Sequence, residues 1–203
     1  MKIMMAYFEK FIHVSGGIEH MLSKLANEFV SRGHQVDIVY CYGDSGKCFY
    51  PLDDSIKLHN LMAIHPEKWK DPQLSQCISG KTKFIREIIR AFNPGKGRDY
   101  NEAAKGKLIA GEIRQVIDEI KPDVIISLRY ETSNYLINSA KVTVPVITRS
   151  FLDPAVMLKN APRGEITALQ KSAVVHVLQK QDIPVMKKLC PGANVVWIPN
   201  PVP

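Results

Sequence analysis

Cysteine is sparse and unpatterned in this chain. The four residues, Cys41, Cys48, Cys77 and Cys190, form no C-x-x-C pair, so neither a disulfide framework nor a zinc site is indicated. Free thiols are expected. No apolar run approaches the roughly 20 residues that span a bilayer. Met1-Lys2-Ile3-Met4 leads straight into a strand pattern with no signal peptide, which predicts a cytosolic chain. Catalytic signatures are equally scarce. There is no H-E-x-x-H and no G-x-S-x-G, which removes support for zinc and serine hydrolysis. The fingerprint G-x-G-x-x-G is missing too, so a bound NAD or FAD is not expected. Gly80-Lys81-Thr82 copies the end of a P-loop, but Ser75 stands where the first glycine belongs and no clear strand leads into it. No cofactor and no metal are therefore predicted. Internal repeats, low-complexity segments and flexible linkers are also missing.

What is present is enough apolar residue for one sizeable core. At 203 residues, 45% apolar and 23% charged, the chain reads as one domain spanning residues 1–203. A balance of 27 basic to 20 acidic residues gives +7, which favours phosphates, anionic lipid or nucleic acid as partners.

The pattern along the chain alternates strand and helix. Lys2 to Phe8 reads as a buried strand. Ile18, Met21, Leu22, Leu25, Ala26, Phe29 and Val30 then recur at helical spacing, Gly33 is placed to end that helix, and Val36 to Tyr42 supplies the next strand. A strand, helix and strand in about 40 residues make a right-handed βαβ unit with parallel pairing. Ile56 to Ile64 is a weaker strand. Further strands are expected at Val124 to Leu128, Val144 to Thr148, Ala173 to Leu178 and Asn194 to Ile198. Helices are expected from Lys81, from Glu102 to Ile120, from Ser133 to Lys141 and around Ile183 to Leu189. The fold class is α/β: a Rossmann-like parallel sheet flanked by helices on both faces.

Several residues carry candidate chemistry. Gly16 and Gly17 open the first helix, where unpaired N–H groups and the positive helix end favour an anion; glycine permits φ > 0 and close approach of a diphosphate. His13 and His20 flank that loop, with solvated or capping roles as the alternative. Arg129, Glu131 and Thr132 follow one strand, and Arg149, Ser150 and Asp153 follow the next. All fall at the carboxyl edge, where open α/β sheets bind ligands. From Lys81 to Arg98 there are six basic residues (Lys81, Lys83, Arg86, Arg90, Lys96, Arg98) and one acidic residue, Glu87, interleaved with Phe84, Ile85, Ile88, Ile89 and Phe92. This basic amphipathic helix suits an anionic membrane surface, with Lys81, Lys83, Arg86 and Arg90 facing it. The alternative is an ordinary surface helix with its apolar face in the core. Few aromatics accompany the charges, so nucleic acid is not expected as a partner. Glu112 and Glu119 read as a solvated helix face.

Gly16-Gly17-Ile18-Glu19 opening a helix that continues Leu22-Ser23-Lys24-Leu25-Ala26, followed by Arg32-Gly33-His34-Gln35-Val36, resembles the start of glycosyltransferase family 4 enzymes. Pro122-Asp123-Val124-Ile125-Ile126-Ser127 is similar to their mid-domain strand. Val177-Leu178-Gln179 with Ile198-Pro199-Asn200-Pro201-Val202 resembles the end of their N-terminal domain, especially in members that build capsule, lipopolysaccharide or lipid-linked glycans. The resemblance implies the N-terminal half of a two-domain GT-B fold, which mainly holds the acceptor, with the nucleotide-sugar held by a C-terminal domain absent from this chain. The family's spaced pair of glutamates belongs to that other half. The implied enzyme is a retaining hexosyltransferase of cell-surface polysaccharide synthesis, cytoplasmic or peripheral on the inner face of the membrane. The chain alone is expected to be inactive. Its partners would be a nucleotide-sugar donor and a glycan or lipid-linked acceptor. Gly16 and Gly17 would face the donor diphosphate, and His13, Glu19, His20, Arg129, Glu131 and Ser150 the acceptor. The family commonly carries a histidine or arginine after the strand at Val144 to Thr148; Arg149 or Phe151 takes that place, and Arg149 is the catalytic candidate. A self-contained Rossmann-like or flavodoxin-like regulatory module that binds phosphate is the alternative.

Overall fold

The computed structural model describes residues 1–199. The chain runs β1 (Lys2–Tyr7), α1 (Gly17–Ser31), β2 (Gln35–Tyr40), β3 (Lys57–Asn60), α2 (Leu61–Ile64), α3 (Gly80–Phe92), α4 (Pro94–Ile120), β4 (Val124–Ser127) and α5 (Tyr130–Asn134). It continues with β5 (Val146–Arg149), α6 (Pro154–Leu158), α7 (Arg163–Lys171), β6 (Val174–Val177), α8 (Asp182–Leu189) and β7 (Val195–Trp197). The seven strands form one sheet in the order β3-β2-β1-β4-β5-β6-β7, and every pairing in it is parallel.

Alternation along β1 builds the layers. Met4 and Ala6 face one side, where they pack with Ile109, Ile113 and Val116 of α4 and with Tyr135 and Leu136. Ile3, Met5 and Tyr7 face the other, against Leu22 and Ala26 of α1. Beyond β5, Val175 and Val177 pack with Leu169 of α7 and Met186 of α8. Since both faces of the sheet are covered at its centre, β1, β2 and β4 read as largely apolar runs. Gly33, at φ 80°, takes the left-handed turn that ends α1, and the His34 N–H donates back to the Phe29 carbonyl.

Several boundaries differ from expectation. The segment read as a strand from Ile56 to Ile64 is half strand and half helix, because the Asn60 side chain accepts from the Met62 N–H and caps α2. Asn93-Pro94-Gly95 ends α3 and also starts α4, which begins eight residues before Glu102. Pro94 sits in the first turn, where no N–H is needed, and the Asn93 side chain caps the Lys96 N–H. The helix expected from Ser133 starts at Tyr130 and widens into a π-helical turn over Tyr135–Ala140. Helices α6 and α7 were not foreseen. Gly80-Lys81-Thr82 opens α3 under a Ser79 cap, with a 3-10 turn and not a strand before it, so it is no P-loop. All four cysteines are free thiols. Among the described residues, no helix is long and apolar enough to cross a membrane. The Asn200-Pro201-Val202 landmark lies outside the described residues.

Candidate functional site

The sheet reverses its winding between β1 and β4, and the loops that leave their carboxyl ends diverge to opposite sides. Such a switch point opens a crevice. Two cavities flank this crevice among the described residues. The first is lined by Phe8, Glu9 and Lys10 after β1, Cys41 and Tyr42 after β2, Gln73 to Ser75, Lys105 and Tyr135, and Glu131 and Thr132 after β4. The second is lined by Ile18 of α1, Leu128 to Glu131 after β4, Arg149 to Leu152 after β5, Met157 and Glu165. Glu131 lines both.

An ionic network joins them. Arg129, in extended conformation just before α5, approaches Glu131 at 3.4 Å. Lys105 of α4 lies 2.8 Å from Glu102 and 3.3 Å from Glu131, and the Tyr135 hydroxyl donates to Glu102 at 2.6 Å. Glu165, in the first turn of α7, is 7% exposed and brings a carboxylate oxygen within 4.8 Å of those of Glu102 and Glu131. Burial, followed by the charges of Glu131 and Glu102, pushes the Glu165 carboxyl up to about 8, so it holds a proton at neutral pH. Glu9 is raised as well, chiefly by burial, while nearby Arg129 opposes the shift. Burial lowers Lys105 and Arg129, but the combined attraction of neighbouring carboxylates outweighs it and both are raised. Arg149 is brought down to about 10 by burial alone and lies over the Phe151 ring at 5.2 Å.

The glycine loop behaves differently from the expectation built on positive φ. Gly16 is extended at φ −75°, and Gly17 is not among the positive-φ glycines. Space is what matters at Gly16: a Cβ there would stand 2.2 Å from Glu19 Oε2. Glu19 is buried and accepts the Tyr7 hydroxyl at 2.8 Å, so its carboxylate is turned inward against the loop. Gly17 opens onto empty space. With no side-chain cap on α1, its first N–H groups are left to a ligand or to water.

The remaining predicted residues divide. Arg129, Glu131, Arg149 and Ser150 come together on the second cavity. The Ser150 hydroxyl is already engaged, accepting from Tyr130 and donating to the Leu152 carbonyl. His13 and His20 line neither cavity: the ring of His13 lies against Gly46, and that of His20 stacks on Tyr50 at 4.6 Å. Glu112 corrects a reading. It is 3% exposed and pairs with Lys68 at 2.6 Å, because the segment carrying Lys68 covers its face of α4; Glu119 is exposed as read. On α3, Lys81 and Arg90 are exposed, Lys83 donates to the Gln76 carbonyl at 3.3 Å, and Arg86 folds back to Asn101 on α4. Sequence reading missed Glu9, Glu102, Lys105 and Glu165. Glu9 follows directly on the first strand, which was a usable signal; the others meet only through tertiary packing.

No family model matches the chain, and no curated protein matches it in sequence. Solved structures do. Sucrose-phosphate synthase from Thermosynechococcus elongatus is similar over 98% of this chain and 47% of its own, at 10% identity and a TM-score of 0.66. UGT89C1 of Arabidopsis thaliana, complexed with UDP, aligns with 100% of this chain and 49% of its own, at 11% identity and 0.57. An alpha-glucosyltransferase in complex with UDP and DNA aligns with 100% and 43%, at 12% identity and 0.51. The chain spans about half the length of these proteins. At such identities the likeness is one of fold: seven parallel strands between helical layers, the architecture of one Rossmann-like half of a GT-B glycosyltransferase.

Proposed function

We propose that this chain is the acceptor-binding half of a retaining sugar transferase that draws on a nucleotide-activated sugar and works with a second, donor-binding half. One observation carries the reading. Ile18 in the first turn of α1, Arg129 and Arg149 line a single cavity at the carboxyl edge of the sheet, and α1 begins there without a side-chain cap. Two cations beside a helix N-terminus match the charge that develops on a departing diphosphate. In this reading Gly17 admits the diphosphate, Arg149 and the α1 N–H groups stabilise it, and Glu131, Glu165 and Glu9 orient acceptor hydroxyls between the two cavities. Catalysis then rests on positioning and electrostatics, with no protein nucleophile. The solved neighbours with UDP bound support a nucleotide-sugar as the donor. The glycosyltransferase family 4 motifs support a role in capsule, lipopolysaccharide or lipid-linked glycan assembly.

The test is a screen of nucleoside-diphosphate sugars against glycan and lipid-linked acceptors, with the donor half present and with the 203-residue chain alone. Transfer is expected only in the first case, lowered about a hundredfold by Arg149→Ala. Turnover by the chain alone, or none from any donor with both halves present, overturns the reading.

A further inference from the structure

A polar cavity that the site leaves unused lies between α4, the π-helical turn over Tyr135–Ala140 and α7. Its volume is about 440 Å³, within the roughly 300–1,000 Å³ of small-molecule sites. Turns of this kind, widened by an extra residue, recur at functional positions. The rim is basic. Lys107 of α4, Lys141 after the turn and Arg163 of α7 line the cavity, and Lys171 reaches Asn138 of its wall at 3.4 Å. Lys107, Lys141 and Lys171 make no ion pair among the described residues. Two carboxylates share the cavity, and both are engaged. Asp99 accepts the Arg163 N–H at 2.7 Å and lies 3.9 Å from its Nε, while Glu102 is held by Lys105 and the Tyr135 hydroxyl. The floor carries a donor that lacks an acceptor. Asn134 is 4% exposed; its side-chain oxygen accepts from Asn138, and its NH2 group has no acceptor among the described residues. Gly164 lies against this amide, where a Cβ would stand 2.6 Å from its oxygen, so no side chain covers it from that side.

We infer that this cavity binds a phosphate-bearing small molecule of about the size of a sugar phosphate, with Asn134 donating at the floor and Lys107, Lys141 and Arg163 closing on the phosphate from the rim. Charge selects the ligand class. Three lysines without carboxylate partners match the charge of about −1.5 to −2 on a phosphate monoester, where a carboxylate brings only one. Concavity and a buried donor suit a small molecule and not a flat membrane or a polymeric anion. The cavity is separate from the two at the crevice yet adjoins both. Glu102 pairs with Lys105 of the first, and Glu165, which lines the second, follows Gly164 directly. Binding here needs neither a donor half nor sugar transfer.

Isothermal titration calorimetry of the intact chain with glucose 6-phosphate, inorganic phosphate and glucuronate, at constant ionic strength, tests this. Glucose 6-phosphate is expected to bind, and glucuronate, with its single charge, to bind at least about tenfold more weakly. Inorganic phosphate should bind less tightly than the ester because it leaves most of the cavity unfilled; equal binding would still support the phosphate site, with the free ion as its occupant. Lys107→Gln with Lys141→Asn should weaken glucose 6-phosphate at least about tenfold. Both lysines are exposed, and asparagine tolerates the left-handed conformation of Lys141 at φ 57°, so the fold is kept. Lys57→Gln with Lys187→Gln removes the same charge from exposed positions that do not line the cavity, and should bind as the parent does. Arg149→Ala, in the second cavity, should do so too. No binding of either phosphate, equally tight binding of glucuronate, parent-like binding by the Lys107 and Lys141 variant, an equal loss in the Lys57 and Lys187 control, or loss in a folded Arg149→Ala chain overturns the inference.

Discussion

Glu165 stores its proton at a thermodynamic cost that grows with pH. Its carboxyl moves from an ordinary value of 4.5 to about 8 in the folded chain. Below 4.5 both states are protonated and the group is silent; between the two values the folded state holds a proton that the unfolded state has released. Stability must therefore fall as pH rises through this window, by a few kcal/mol in all, about 1.4 for each unit. Glu165→Gln, which keeps the shape without the charge, is expected to flatten that decline. Thermal unfolding of both proteins should coincide near the acid end and separate toward pH 9, with the variant more stable; parallel curves would remove Glu165 as the source. The two loop glycines make a second contrast. Gly16→Ala drives a Cβ into Glu19 and displaces its carboxylate from Tyr7, a loss of about 1–3 kcal/mol in denaturant unfolding. Gly17→Ala meets nothing and adds helix propensity, so stability should hold or rise by up to ~1 kcal/mol. If Gly17 serves the diphosphate, transfer by the two-half enzyme should nonetheless fall.

Among the elements, α3 depends on one close approach. A Cβ on Gly97 would lie 2.9 Å from the Arg90 Cα, where a backbone and not a pliable side-chain tip resists it. Gly97→Ala is expected to pry the two helices apart at a cost of about 1–3 kcal/mol, with hydrogen exchange rising first along residues 80–92. Uniform exchange would show that the crossing is looser than it looks. The legibility of the fold follows from such local chemistry. β1, α1 and β2 were readable because apolar spacing and the Gly33 stop act within a few residues. α6 and α7 were not: they are short, and α7 gains its place through Ala168 and Leu169 packing and an Asp99 carboxylate 64 positions away that accepts the Arg163 N–H. For the same reason Arg129 and Glu131 were found from the strand before them, whereas Glu102, Lys105 and Glu165 reach the site from separate helices. Glu112 was misread because a charged residue on a helix looks solvated until its partner, Lys68, is known to come from 44 residues upstream.

At the scale of the whole molecule, the edge bearing Arg149 leaves apolar surface in water. Leu152 and Val156, just past that residue, are 62% and 70% exposed, an apolar rim beside the second cavity. On the transferase reading this rim is where the donor half closes. Leu152→Ser with Val156→Ser should leave the chain's own stability within ~0.5 kcal/mol yet weaken transfer by the complete enzyme; undiminished transfer would place the partner elsewhere. Glu131 adds a consequence of another kind. As a wall of both cavities that is bound at once to Arg129 and Lys105, it cannot be claimed from one side without releasing a positive charge toward the other. The two compartments thus share a free-energy term, and thermodynamics requires each occupant to change the other's affinity by the same factor. A carboxylate set between two rooms makes filling them a matter of order.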